Sequence, residues 1–251
     1  MAEKNIKLTV QYRGTSFAGW QIQDGQKTVQ GEITDAVFKV TGQRVNLIGA
    51  GRTDAGVHAL AQTANFRIDH DLEPERYRDA LNYYLDDDIV VVAAAEAAFD
   101  FHARFDAKHR RYRYLLSAEK SALYRDLRWE HRRRLVFERL REAAEIVIGE
   151  HDFSPFCVVA SRKDNNNCRI MHSKWRKIGA LWVYEIRGDR FLHSMVRSLV
   201  GAMVNLADEN PDKNLLNLTL DGFRDIINSQ TDERVTFTAP ARGLYLVSVG
   251  Y

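Results

Sequence analysis

Over the first dozen residues, apolar Ile6, Leu8, Val10 and Tyr12 alternate with polar Lys7, Thr9 and Gln11, a period of two that predicts a half-buried strand. A polar, glycine-rich stretch follows over residues 13–27. Val29, Ile33, Ala36, Val37 and Val40 then recur at helical spacing, with Gly42 placed to stop the helix. Residues 44–48 and 62–68 alternate again and predict two strands across a glycine-rich link. Pro74 suits the first turn of a helix carrying Tyr77, Leu81, Tyr84 and Leu85, and the apolar run 89–92 predicts a strand. The first half therefore reads βαββαβ.

The second half repeats that order. A strand is expected at 112–117, then a helix carrying Val136, Leu140, Ala143, Ala144 and Val147, closed by Gly149. Strands at 170–178 and 181–187 meet at a turn at Gly179. A helix over 191–206 buries Leu192, Val196, Leu199, Val200 and Met203, a shorter one covers 220–227, and a last strand covers 244–249. A βαββαβ unit makes a four-stranded antiparallel sheet with both helices on one face. The expected fold is α+β: two such ferredoxin-like halves joined in one extended, mostly antiparallel sheet with helices on one face. No periodicity continues through residues 99–109, so the expected domains are 1–104 and 105–251. The sheet's other face would be open, as in RNA-recognition folds of this topology, although the fold by itself names no function.

Composition adds limits. A chain of 251 residues, 45% apolar, can bury one large core or two adjoining ones. It has neither a signal-like start nor the roughly 18 uninterrupted apolar residues of a membrane helix, so a soluble, cytoplasmic protein is expected. Cys157 and Cys168 form no C-x-x-C pair, and neither a disulfide scaffold nor a structural metal is expected. The formal charge is only +2, but residues 104–141 hold 13 Lys and Arg against 5 Asp and Glu, a local +8. That asymmetry fits either a solvated face or a polyanionic partner. In the run His109-Arg110-Arg111-Tyr112-Arg113-Tyr114 cations interleave with rings, which favours phosphate contacts plus stacking. Alternation sends Tyr112 and Tyr114 to one side and Arg111 and Arg113 to the other.

The densest chemistry lies in GAGRTDAGVH, residues 49–58. Glycines alone serve a turn, but a hairpin has no use for the arginine, aspartate and histidine beside them. A phosphate cradle is disfavoured: no G-K-[ST] follows, no helix begins there, and the aspartate would repel the ligand. Asp54 is a surface ion-pair partner of Arg52 or a reacting carboxylate.

The string GRTDAGVH resembles the defining motif of the tRNA pseudouridine synthase A family at all eight positions. The resemblance runs on through Tyr12 with Gly14, Gly19-Trp20-Gln21, Val29-Gln30, Phe101-His102-Ala103-Arg104-Phe105, Arg111-Tyr112-Arg113-Tyr114, Met195-Val196-Arg197 with Gly201, and Gly243-Leu244-Tyr245-Leu246. It implies an isomerase that turns uridine into pseudouridine in the anticodon stem-loop of tRNA, around nucleotides thirty-eight to forty, as a homodimer without cofactor or metal.

By the same resemblance Asp54 is the catalytic carboxylate, attacking uracil C6 or ribose C1′ or abstracting a ribose proton; an ionised carboxylate suits each route. Arg52 would fill the helix as the target base turns out. Tyr112 would stack on the uracil, and Arg197 would pair with Asp54 and keep it ionised. Leu244 and Leu246, on one face of the last strand, would close the pocket. Arg110 and Arg111 are assigned to the tRNA backbone. His58, His102 and His193 fit no ligand spacing and are expected to be satisfied loop or core histidines.

The chain departs from the family pattern where Asn82-Tyr83-Tyr84-Leu85-Asp86 lacks the usual proline and where residues 158–167 are rich in asparagine. The rival from another class is a non-catalytic RNA-binding protein or tRNA-folding chaperone on the same scaffold. Joint presence of Asp54, Arg52, Tyr112 and Arg197 argues against it, since binding alone gains nothing from a carboxylate. A nucleotide hydrolase is disfavoured by the missing Walker lysine and acidic pair.

Overall fold

The computed structural model describes residues 3–210, 218–228, 235 and 237–251. In chain order the elements are β1 (Lys4–Tyr12), α1 (Val29–Thr41), β2 (Ile48–Gly49), β3 (His58–Ile68), α2 (Tyr77–Tyr84), β4 (Ile89–Ala97), β5 (His109–Ser117), β6 (Trp129–Glu130), α3 (Phe137–Ile146), β7 (Gly149–Asp152), β8 (Asn167–Ile178), β9 (Leu181–Gly188), α4 (Met195–Ala207), α5 (Leu220–Ile227) and β10 (Leu244–Gly250). They divide between two compact units, one of residues 1–108 with 245–251 and one of residues 109–244. The α+β class and the mostly antiparallel pairing are those the periodicities predict.

In the first unit β1 is central, antiparallel to β3 on one side and to β4 on the other. Its inward residues Ile6, Leu8 and Val10 are fully buried, as are Ile33 and Val37 of α1 and Tyr77 and Leu81 of α2. Removing such apolar surface from water is the main favourable term in folding. α1 and α2 pack side by side, and α2 lies on β4. Thr28 caps α1 by accepting from Gly31 N, and Gly42 ends it with φ +72, a left-handed turn that costs glycine nothing.

Beyond β3, β10 pairs in parallel with its start, Tyr245 against His58 and Leu246 against Ala59. β2 pairs with its far part, Ile48 against Asn65. The strand expected over 44–48 shrinks to Ile48–Gly49 because the Leu47 carbonyl accepts from Gln30 Nε2 of α1 at 2.8 Å instead of joining a ladder. The face opposite the helices is not open throughout. Asn5 Nδ2 donates to the carbonyls of Ala98 and Phe101 at 2.9 Å, and Ala103 N donates to Asn65 Oδ1 at 2.9 Å, so the segment after β4 is strapped across it.

In the second unit the antiparallel order is β5, β9, β8, β7, with the two-residue β6 parallel to β5. Tyr114, Tyr184 and Trp175 stand opposite one another on adjacent strands, and Trp175 Nε1 donates to Met203 Sδ of α4 at 3.2 Å. That side of the sheet carries the core. β6 and β7 had no alternating apolar signal: one is two residues long and the other is the polar GEHD. α4 begins at Met195 rather than at residue 191 because Ser194 takes a left-handed φ of 59 that interrupts the helix.

Candidate active site

Residues 49–58 are held by the end of β1 and the segment that follows it. Tyr12 and Thr53 share a buried hydroxyl–hydroxyl hydrogen bond of 2.8 Å. Trp20 N donates to Thr53 O at 3.1 Å, Gly56 N donates to Phe17 O at 3.3 Å, and Gly14 N donates to His58 Nδ1 at 3.0 Å. From the strand side, Ala50 N donates to Thr63 O and Gln62 Nε2 donates to Gly51 O, both at 2.8 Å. Val57 N closes a tight turn onto Asp54 O at 3.2 Å, with Gly56 at φ +77 in the position that requires a left-handed residue.

Two glycines permit the close approach. A Cβ on Gly14 would collide with the Val57 carbonyl, and one on Gly19, whose φ is +104, would lie 2.7 Å from Thr53 O. Around the aspartate Arg52 is exposed, Thr53 buried, Asp54 half-buried and Ala55 exposed. These backbone and side-chain hydrogen bonds fix the main chain on both sides of Asp54.

His58 is a satisfied core histidine. It accepts from Gly14 N through Nδ1, and its ring stacks on Tyr245 at 4.7 Å. Burial pushes the Tyr245 phenol up to about 12. His193 Nδ1 is bonded to Ser161 Oγ at 2.7 Å, and His102 Nδ1 accepts from two backbone amides at 3.2 Å. Among the described residues no group of three His, Cys, Asp or Glu is placed to hold a metal ion, and no helix is long and apolar enough to cross a membrane.

The remaining expected site residues divide between the units. Leu246, fully buried on β10, belongs with Arg52 and Asp54 in the first. Arg110, Arg111, Tyr112, Arg197 and Leu244 belong to the second. Tyr112 is buried edge-on against Phe191, ring centroids 5.1 Å apart. Arg110 shares its side of β5 and donates from Nη1 to Asp189 O at 2.9 Å. Arg197, half-buried at the start of α4, donates from Nε to Ala239 O at 2.9 Å, while Ala239 N donates back to Arg197 O. Leu244 is buried beside Gly243, where a Cβ would lie 2.5 Å from the Tyr114 ring.

Sequence reasoning missed Glu185. It is 5% exposed on β9, directly opposite Arg113, and receives Arg111 and Arg113 at 2.8 Å each. Burial pulls its carboxyl up, but the bonds and charges of Arg113 and Arg111 outweigh that and hold it below the ordinary 4.5. The available signal was a single acid within a strand pairing with a cation-rich one. Gly14 and Gly19 enter the sequence reading only through the resemblance, and Tyr12 also through the alternation of the first strand; the structure gives each a task at the loop.

The sequence matches the family described as tRNA pseudouridine synthase over residues 8–106 and 143–251. The chain belongs to that family. It is also 41% identical, over 99% of its length and all of the relative's, to a tRNA pseudouridine synthase A of Acetivibrio thermocellus. A protein of the same name from Brachyspira hyodysenteriae is 41% identical over 96% of each chain, and one from Pelodictyon phaeoclathratiforme 46% over 80% of this chain and 83% of its own. Membership makes the chain an isomerase, and in the anchored loop of residues 49–58 Asp54 stands half-buried on a backbone held from both sides.

Proposed function

We propose that the chain isomerises uridine to pseudouridine in the anticodon stem-loop of tRNA, around nucleotides thirty-eight to forty, as a cytoplasmic homodimer. The reaction breaks the bond from ribose C1′ to N1, turns the uracil, joins C1′ to C5, releases the C5 hydrogen as a proton and leaves N1 protonated. Asp54 is the reacting carboxylate, adding to C6 or C1′ or taking a ribose proton, and Arg197 is its cationic partner. Arg52, exposed two residues earlier, enters the stem as the base turns out. Tyr112 stacks on the uracil, and Leu244 with Leu246 closes the pocket around it.

The observation that carries this reading is the loop itself: a half-exposed Asp54 on a backbone pinned through Thr53, Gly51, Gly56 and His58. Arg110, on the same side of β5 as Tyr112, takes a tRNA phosphate near the target. Arg111, tied to Glu185 and with a side chain 41% exposed, contacts the backbone from the opposite side.

Carbodiimide mapping by primer extension tests the position. A tRNA transcript with uridine at thirty-eight to forty should acquire stops there, and a transcript with cytidine at those places should acquire none. Stops elsewhere, unaffected by those replacements, contradict the anticodon assignment. Sedimentation at micromolar concentration tests the homodimer, which a purely monomeric species contradicts.

A further inference from the structure

Phe105 is 75% exposed, although it sits in a turn closed by several hydrogen bonds. Asp106 N donates to His102 O at 3.1 Å, and His102 N donates to Asp106 Oδ2 at 2.8 Å. Arg104 N and Phe105 N both donate to His102 Nδ1 at 3.2 Å. Below them Ala103 is fixed on both sides, its N–H to Asn65 Oδ1 and its carbonyl accepting from Tyr251 OH at 2.8 Å. The imidazole stacks on the Phe105 ring, centroids 4.3 Å apart and planes 29° from parallel, and the Arg104 guanidinium carbon lies 5.6 Å from the ring centre.

The turn geometry asks for none of this. His102 and Asp106 close it, and serine or asparagine at 105 would leave water in contact with a polar group rather than a phenyl ring. The same segment repeats the pairing of rings with cations. Arg67 lies over Phe99 at 4.2 Å, and Lys7 lies over Phe101 at 5.0 Å and Tyr251 at 4.6 Å. Rings on a fixed backbone with cations beside them are the means by which proteins hold unpaired nucleotides: the ring takes the base and the cation the phosphate.

We propose that the turn of residues 101–106 is a stacking platform for one unpaired base of the bound tRNA other than the target uridine, with Phe105 as the contact surface, His102 as its backing and Arg104 on the adjoining phosphate. The proposal rests on the tRNA-modifying function and deepens it. The occupant is a base rather than a protein side chain because Arg104, Arg67 and Lys7 lie beside the rings while the Asp106 carboxylate is taken up by His102 N, and because the backbone is already rigid, so stacking costs little ordering.

The test compares Phe105→Ala, Phe105→Leu, Phe105→Trp and Arg104→Ala with the parent. Each is measured for binding of a full-length tRNA transcript at several salt concentrations, for tritium release from 5-tritiated uridine, and by circular dichroism and sedimentation. Loss of one stacked base, worth about 1–3 kcal/mol, corresponds to a rise in Kd of roughly 5- to 150-fold. Phe105→Ala and Phe105→Leu should show that rise with an unchanged salt slope. Phe105→Trp should bind within about twofold of the parent and lose indole emission on adding tRNA. Arg104→Ala should lower the salt slope by about 0.7–0.9. Unchanged affinity in Phe105→Ala, a tryptophan variant as weak as the alanine, or a variant that changes the sedimentation coefficient instead of tRNA affinity would overturn the platform, the last by pointing to a second copy of the chain. If in those cases the parent still releases tritium, the isomerase reading stands without it. A parent that neither binds tRNA nor releases tritium overturns both.

Discussion

Tyr12 Oη and Thr53 Oγ1 are 2.8 Å apart in the interior, a hydrogen bond between the last residue of the first strand and the residue immediately before Asp54. Tyr12→Phe leaves the buried Thr53 hydroxyl without that partner, at a cost of about 1–3 kcal/mol. The expected result is a lower midpoint in urea and a reduced single-turnover rate, with tRNA affinity nearly unchanged. A loss of affinity alone would show that the bond serves binding rather than the position of the loop.

Gly19→Ala and Gly25→Ala separate strain from collision. Both glycines have positive φ, +104 and +66, but only at Gly19 would the new Cβ meet the backbone, 2.7 Å from Thr53 O, whereas nothing lies within 4 Å of Gly25. Gly25→Ala should cost about 1–2 kcal/mol with full activity. Gly19→Ala should cost more and abolish most turnover, and equal effects in thermal melts and rate assays would contradict the loop anchoring.

Glu185 gives the second unit an acid-side weakness. Its folded pKa lies below the ordinary 4.5, so its ion pairs contribute stability above the unfolded value and lose it as pH falls through the folded value. Urea midpoints should drop as pH falls below about 4.5, and Glu185→Gln should flatten that part of the curve while lowering stability at pH 7. An identical pH profile in the variant would show that the pairs with Arg111 and Arg113 carry no net stability.

Asn5 and Asn65 act as one clamp on the segment after β4, joined by a 2.9 Å bond from Asn65 Nδ2 to Asn5 Oδ1. Each alanine variant should cost about 1–3 kcal/mol, and the double variant clearly less than the sum. Strict additivity in chemical denaturation would mean that the two side chains hold residues 98–103 independently.

The alternation of Ile6, Leu8 and Val10 and the helical spacing of Val29 to Val37 were enough to give β1 and α1, because each element has one buried face. The polar strand β7 was not legible: its residues join the sheet through backbone bonds to β8 that leave no apolar period. The end of β2 depended on Gln30, a helix residue that takes the Leu47 carbonyl, and no local pattern announces such a contact. At the site, the composition of residues 49–58 marked Asp54, and the family resemblance assigned its role. What holds the loop was hidden because Tyr12, Gly14 and Gly19 lie far from it in sequence and act through single hydrogen bonds and the absence of a Cβ. Likewise the arginines of β5 read as contacts to the tRNA backbone, and no local pattern shows the ion pairs that strand register makes by setting Glu185 opposite Arg113.

The most direct test of the central claim is tritium release from tRNA carrying 5-tritiated uridine, comparing the parent with Asp54→Asn, since joining C1′ to C5 must expel the hydrogen at C5. The account predicts release by the parent and none by the variant, with tRNA binding retained. Release by Asp54→Asn at the parent's rate would remove Asp54 from the chemistry, and no release by the parent from a tRNA with uridine in the anticodon stem-loop would contradict the proposed reaction itself.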